Sequence, residues 1–320
     1  MATSVLTVAP PRVEPTLLRE LHRTHARGNL RLLTFAGVYV LSAFCAWRLG
    51  TGVHHRVLAL LATLPFYLLA AAALHGISLF THEAVHGTLR RSRFWNAVGG
   101  ALCALPVLQN FSAYRVLHLE HHDHLGNEGD PDHYPNYTRW SWLVFLMNWG
   151  RLLAGYPAYI TAIPVLGFRQ GNARQRWAIA GEVALAGLLI FGLTRLPWPV
   201  ALHAWLIPML FINTFVNIRG MSQHTLLEEH HGDAVRGTRT ILTNPVVAFF
   251  MCNENYHLEH HLHPGVPWYH LPRVHAALRD ELTERGAPFI PSYFAFVKEF
   301  VAGSFRRSPL GRRGESPTQP

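Results

Sequence analysis

The chain has 320 residues, 49% hydrophobic and only 15% charged, with 22 His. A typical soluble domain is about 25% charged, so this composition excludes a disordered chain and argues against an ordinary soluble enzyme. The net charge is +9, but the basic residues are almost all Arg, scattered between apolar runs, with Lys298 the single Lys; that is not a nucleic-acid profile.

Residues 1–29 open Pro-rich. A short amphipathic stretch follows, with Leu17, Leu18 and Leu21 on one side and Arg19, Arg23 and Arg27 around them. It reads as a helix on a membrane surface or as a solvated tail. The first apolar run lies too far in, and is too long, for a cleavable signal. Four runs are long enough to cross a bilayer, at about 20 apolar residues each: 30–47, 57–80, 177–194 and 199–217. Tight turns at 50–56 and 196–198 pair them into two helical hairpins, with Pro208 expected to kink the fourth. The Arg residues concentrate in the termini and middle section, so these face the cytoplasm by the positive-inside rule. The stretches 94–109 and 142–168 are broken by Gly and Pro. Were 94–109 to cross, the histidines on its two sides would face opposite leaflets, so both stretches are expected to be interfacial or re-entrant. Residues 303–320 read as a disordered basic tail and 30–302 as one membrane-embedded domain. The expected fold class is an all-α integral membrane protein of four spans with a cytoplasmic His-rich cap.

The histidines cluster in three boxes: His82 and His86; His118, His121 and His122; His257, His260 and His261. Spacings of i, i+3 and i+4 place the rings on one side of a helix. At this His content about 0.1 HxxHH would arise by chance, so two copies are not luck. Imidazole binds iron, zinc and copper as the neutral base. Eight box rings are too many for one tetrahedral ion and suit two metals. Nearby acids, Glu83, Glu120, Glu259, Asp130 and Asp132, are expected to accept ring N–H bonds and offset metal charge. Box one also reads HExxH, which would make Glu83 the general base of a membrane zinc protease; that reading leaves two boxes idle. A non-enzymatic metal carrier is the remaining class. The three Cys, Cys45, Cys103 and Cys252, form no CxxC pair, which excludes a disulfide framework or Cys-based zinc site. His75 shares the face of box one and reads as a polar residue bonded within the bundle; His230 and His231 read as loop residues.

The motifs HEAVHG (82–87), HLEHH (118–122) and HLEHHLHPGVPWYHLP (257–272), separated by hydrophobic hairpins, resemble the membrane-bound fatty acid desaturase family. That family is related to membrane carotenoid ketolases and hydroxylases. The resemblance covers roughly residues 30–290. It implies a non-haem diiron centre (two Fe), dioxygen as co-substrate, and every box His as a ligand. It implies one further ligand at the cytoplasmic end of the fourth span, here His224, preceded by Gln223 where many bacterial relatives carry Glu. A water in a tenth position could be held by Asn217 or Asn253. The implied reaction is desaturation of a fatty acyl lipid, with carotenoid ketolation or hydroxylation as the alternative, in a bacterial inner membrane with the site on the cytoplasmic face. No haem-sized domain is spare, so electrons are expected from a separate donor, ferredoxin- or cytochrome b-type with its reductase. The apolar faces of the second and fourth spans are the expected tunnel walls.

Overall fold

The computed structural model describes residues 10–22, 27–227 and 232–307. His230 and His231, Arg23 and residues 308–320 lie outside the described residues. The first helix, α1 (Pro15–Leu21), has Pro at its first position, where no N–H is needed, and the Glu14 carboxylate accepts the free N–H groups of Thr16 and Leu17, each at 3.0 Å. Neither expectation for this stretch describes it. Leu21 is fully buried, and Leu17 and Leu18 pack with Leu258, Val274 and Leu278 of the cap. Its apolar side therefore closes the protein's own core.

The first hairpin is α2 (Arg27–Gly52) and α3 (Arg56–Val85). Gly76 lets the two approach: a Cβ there would stand 2.4 Å from the Phe35 ring. After α4 (Arg93–Ala104) and α5 (Phe111–His124) comes α6 (Ser141–Gln170), then the second hairpin: α7 (Ala173–Thr194), and α8 (Trp198–Ala201) running through a π-helical turn at Leu202–Leu206 into α9 (Ile207–His224). Among the described residues, four helices are long and apolar enough to cross a membrane: Gly28–Gly52, Arg56–Val85, Ala173–Thr194 and Trp198–His224. Neither α4 nor α6 is among them.

Two prolines shape the bundle by freeing carbonyls. Pro208 cannot donate to Ala204, and the Tyr39 hydroxyl donates to that oxygen at 3.2 Å. Pro157 frees Leu153, where α6 kinks at Ala154 (φ −147°, ψ 30°). Asn213 of α9 repairs the break: its Nδ2 donates to the Leu153 oxygen (3.0 Å) and its Oδ1 accepts the Tyr156 N–H (3.1 Å). The break is thus compensated by a neighbouring helix, as apolar surroundings require.

The start of α5 is clamped to α7. Asn110 caps Ala113 N–H (2.9 Å) and donates to the Ile179 oxygen (3.0 Å), while Glu182 accepts from Ser112 N–H (3.0 Å) and Ser112 Oγ (2.6 Å). The cap is built from α10 (Ala234–Gly237), α11 (Pro245–Phe250), α12 (His257–Leu262), α13 (Leu271–Glu284) and α14 (Tyr293–Arg307). Its one parallel strand pair, β1 (Thr240–Ile241) and β2 (Phe289–Ile290), is two residues long, so the fold is all-α in substance. Residues 303–307, expected to be disordered, finish α14, whose Phe296 and Phe300 are buried against Met221 and Leu226.

Candidate metal centre

The second span does not stop at residue 80. It runs unbroken to Val85, carrying His82 in its last turn and His86 at its C-cap. The fourth ends on His224. Box two is the last turns of α5 and box three is α12 itself. All nine rings converge, in two groups. In the first, the ligating atoms of His82, His86, His118, His122 and His260 lie within 4.8 Å of one another. Its Nε2 atoms touch in sequence: His86 to His118 at 3.0 Å, His118 to His122 at 3.1 Å, His122 to His260 at 3.3 Å. In the second, His121, His224 and His261 cluster within 4.8 Å, and His257 joins them. Its Nε2 contacts are His121 to His224 at 3.2 Å, His224 to His257 at 3.1 Å and His257 to His261 at 3.2 Å. The HxxHH spacing explains the division. Consecutive residues sit about 100° apart on a helix, so His121 and His122 point into different groups, as do His260 and His261. The groups adjoin where the His122 and His261 rings stack with centroids 4.1 Å apart.

The ring tautomers show what these groups fit. The Nδ1 of His224 faces the Gly237 carbonyl at 3.2 Å, and a carbonyl only accepts, so that nitrogen carries the proton. His121 Nδ1 meets Asp130 Oδ1 at 2.9 Å, and His82 Nδ1 meets Glu254 Oε1 at 3.2 Å. The Nε2 atoms of His121 and His224 therefore turn lone pairs towards each other, an arrangement that repels unless a cation lies between. With metal–nitrogen bonds of about 2.1 Å at near-right angles, neighbouring donors stand roughly 3.0 Å apart, which matches the contacts. The rings are also held neutral, the form that ligates. Burial, reinforced by neighbouring imidazoles, pushes His86, His118, His260 and His261 well below the ordinary His range. His257 is pushed down to about 4 by burial. His121 is the exception: burial opposes its charge, yet the Asp130 hydrogen bond holds it above the usual value. The donor set fits two imidazole-bound transition metals.

The surrounding acids divide differently from the expectation. Asp130 does accept from a box ring, and its carboxylate also takes Gly126 N–H (2.7 Å) and Asp132 N–H (2.8 Å). Glu83 instead accepts from Thr88 Oγ1 (2.6 Å) and Trp268 N–H (3.3 Å), tying the end of α3 to the cap. Glu259 accepts from His275 Nδ1 (2.5 Å) and Thr240 Oγ1 (2.6 Å), bracing α12 against α13 and β1. Glu120 is 48% exposed and pairs with His124 one turn on, because its face of α5 points outward. Asp132 lines a cavity beside the rings, as does Asn217, whose amide donates to Asn213. Asn253 donates to the Trp268 oxygen and meets no ring. His75 is buried and in neither group, its Nε2 without a hydrogen-bond partner, so it is not the bonded bundle residue expected. A zinc-protease reading needs Glu83 free beside one ion; here it is engaged elsewhere, and His82 and His86 share their site with three more rings.

One acid escaped sequence reasoning. Glu254, 1% exposed, lies between the two groups, with His82 Nδ1 at 3.2 Å and His257 Nδ1 at 3.7 Å. Two consecutive left-handed residues, Cys252 (φ 46°) and Asn253 (φ 55°), precede it. Such conformations cost non-Gly residues roughly 1–3 kcal/mol each. The signal available was spacing alone: Glu254 stands three residues before His257.

A cavity of about 650 Å³ opens against both groups, lined by His82, His118, His121, His224 and His257. Its apolar wall comes from Leu79 of α3 and Val216 of α9, as expected, and also from Leu117 of α5 and the Ala154, Ala158, Ala162, Ile163 and Leu166 series of α6.

With this geometry in view, the model of the fatty acid desaturase family matches residues 58–293. The chain belongs to the fatty acid desaturase family. It is 30% identical to a beta-carotene ketolase of Paracoccus sp. (strain PC1) over 73% of this chain and 86% of that one. To a dihydrorhizobitoxine desaturase of Bradyrhizobium elkanii it is 27% identical, over 77% and 73%. To an sn-1 oleoyl-lipid 12-desaturase of Picosynechococcus sp. it is 23% identical, over 81% and 77%. The protein is accordingly a membrane oxidoreductase.

Proposed function

We propose that the protein is a dioxygen-dependent desaturase of fatty acyl chains, with His82, His86, His118, His122 and His260 holding one iron and His121, His224, His257 and His261 a second. The observation that carries this reading is the pair of Nε2 groups opening onto one largely apolar cavity. Iron held there supplies, with dioxygen, the oxidising power for an unactivated C–H bond that no side chain possesses. The protein's own task is placement. The α6 series and Val216 lay a methylene pair beside the rings and keep water from it. Asp130 and Glu254 fix the ring orientations by their Nδ1 contacts. Reduction of dioxygen to water takes twice the electrons that one new double bond releases, so a separate ferredoxin- or cytochrome b-type donor supplies the rest. The concentration of Arg in the termini and the middle section supports a cap on the cytoplasmic side of a bacterial inner membrane.

The identity to a beta-carotene ketolase favours a second reading, oxygenation of a carotenoid at the same centre. Expression in a host lacking both activities separates them. New unsaturated acyl chains support the first; oxygenated pigment with unchanged acyl chains overturns it in favour of the second.

A further inference from the structure

We infer that the cavity beside the histidines recognises a carboxylate on its substrate, held by Arg151 and Arg219. This deepens the proposed function, on which it rests only for the identity of the carbons attacked. Both arginines line the 650 Å³ cavity together with the rings of His121, His224 and His257. Arg219 lies about one and a half turns before the end of the candidate span Trp198–His224, on the same side of the protein as the rings. Its Nε is buried without a hydrogen-bond partner. Arg151 stands before the α6 kink, with its guanidinium over Gly220: a Cβ at Gly220 would come 3.0 Å from Arg151 Nη2, and one at Gly155 3.1 Å from its Cγ. Two glycines thus clear the space this side chain occupies.

Neither guanidinium forms an ion pair among the described residues. Arg151 has Tyr134 for a neighbour, its guanidinium 5.8 Å from that ring and hydrogen-bonded to that side chain. The one acid among the lining residues is Asp132, whose charge acts on Arg151 without an ion-pair contact. Two guanidinium groups against one lining acid give this part of the cavity an excess of positive charge, which an anionic ligand complements. The guanidinium fork matches a planar carboxylate in a bidentate manner. The volume is that of a pocket for one small or single-chain ligand. This favours a free aliphatic acid over a diacyl lipid, whose bulk would remain outside. Since the arginines and rings share one cavity, the carbons presented for oxidation lie near the acid end of the chain.

The test is a fluorescence and thermal-shift titration of the purified full-length chain in nanodiscs with dodecanoate, methyl dodecanoate and dodecyl phosphate. The expected result is that dodecanoate binds about 10- to 100-fold more tightly than its ester, the worth of charge-assisted hydrogen bonds. Arg219→Gln and Arg151→Gln should each remove most of that preference, and Arg151→Lys should retain part of it. Should the neutral variants fail to fold, Gly220→Ala, which crowds the Arg151 guanidinium, should weaken the acid and spare the ester. Equal affinity for acid and ester in the unaltered chain overturns the inference, as does tighter binding of the phosphate. Iron content of the same preparations reports on the metal reading independently.

Discussion

Glu254 and His82 meet at 3.2 Å, Oε1 to Nδ1, although they come from elements 172 positions apart in sequence, and the other oxygen of the same carboxylate faces His257. One buried acid therefore touches a ring of each histidine group. Glu254→Gln keeps the shape but loses the charge and one acceptor. Outer partners of ligating rings are worth about 10- to 100-fold in metal affinity or activity. The expected outcome is a loss of that size in turnover, with reduced iron retention on dialysis. Glu120→Gln, on the outward face of α5, should change neither.

Asp130 offers a contrast, because it serves one group only. It accepts from His121 and from two backbone N–H groups, and these donors hold its carboxyl below the ordinary range although burial pushes the other way. In Asp130→Ala the ring of His121 loses its orienting acceptor. Iron analysis should show partial loss, about one of two ions, since no member of the five-ring group touches Asp130.

Glu182 tests a structural link. It is a carboxyl on a candidate span that receives the N–H and Oγ of Ser112 at the start of α5. Glu182→Ala leaves the half-buried Ser112 N–H without this partner, which costs about 1 kcal/mol. A lowered thermal midpoint in detergent, with iron content kept at low temperature, is the expected result.

The boxes and the hairpins were legible because each rests on local periodicity: apolar runs of bilayer length, and imidazoles spaced by one helical turn. The nine converging rings were all named from the sequence, His224 through the resemblance. The roles of the acids were not legible, because they depend on which side of each helix faces which neighbour. Glu83 and Glu259 lie within boxes yet brace the cap, whereas Glu254 lies outside them and reaches two rings. The amphipathic residues 15–21 showed their apolar side plainly, but not that the side would meet α12 and α13 rather than lipid. Likewise the Gly and Pro residues of 142–168 marked an interrupted stretch but not Asn213, which satisfies the break from another helix.

His260 and His121 belong to different groups, so single substitutions address each in turn. His260→Ala and His121→Ala should each abolish turnover while the protein remains in the membrane fraction. Full activity in either variant contradicts the ligand set.

Metal analysis of the purified chain tests the central claim most directly. Nine imidazoles in two groups should retain about two iron ions per chain, fewer in His260→Ala. One zinc per chain, or no iron retained after anaerobic loading, would contradict the account.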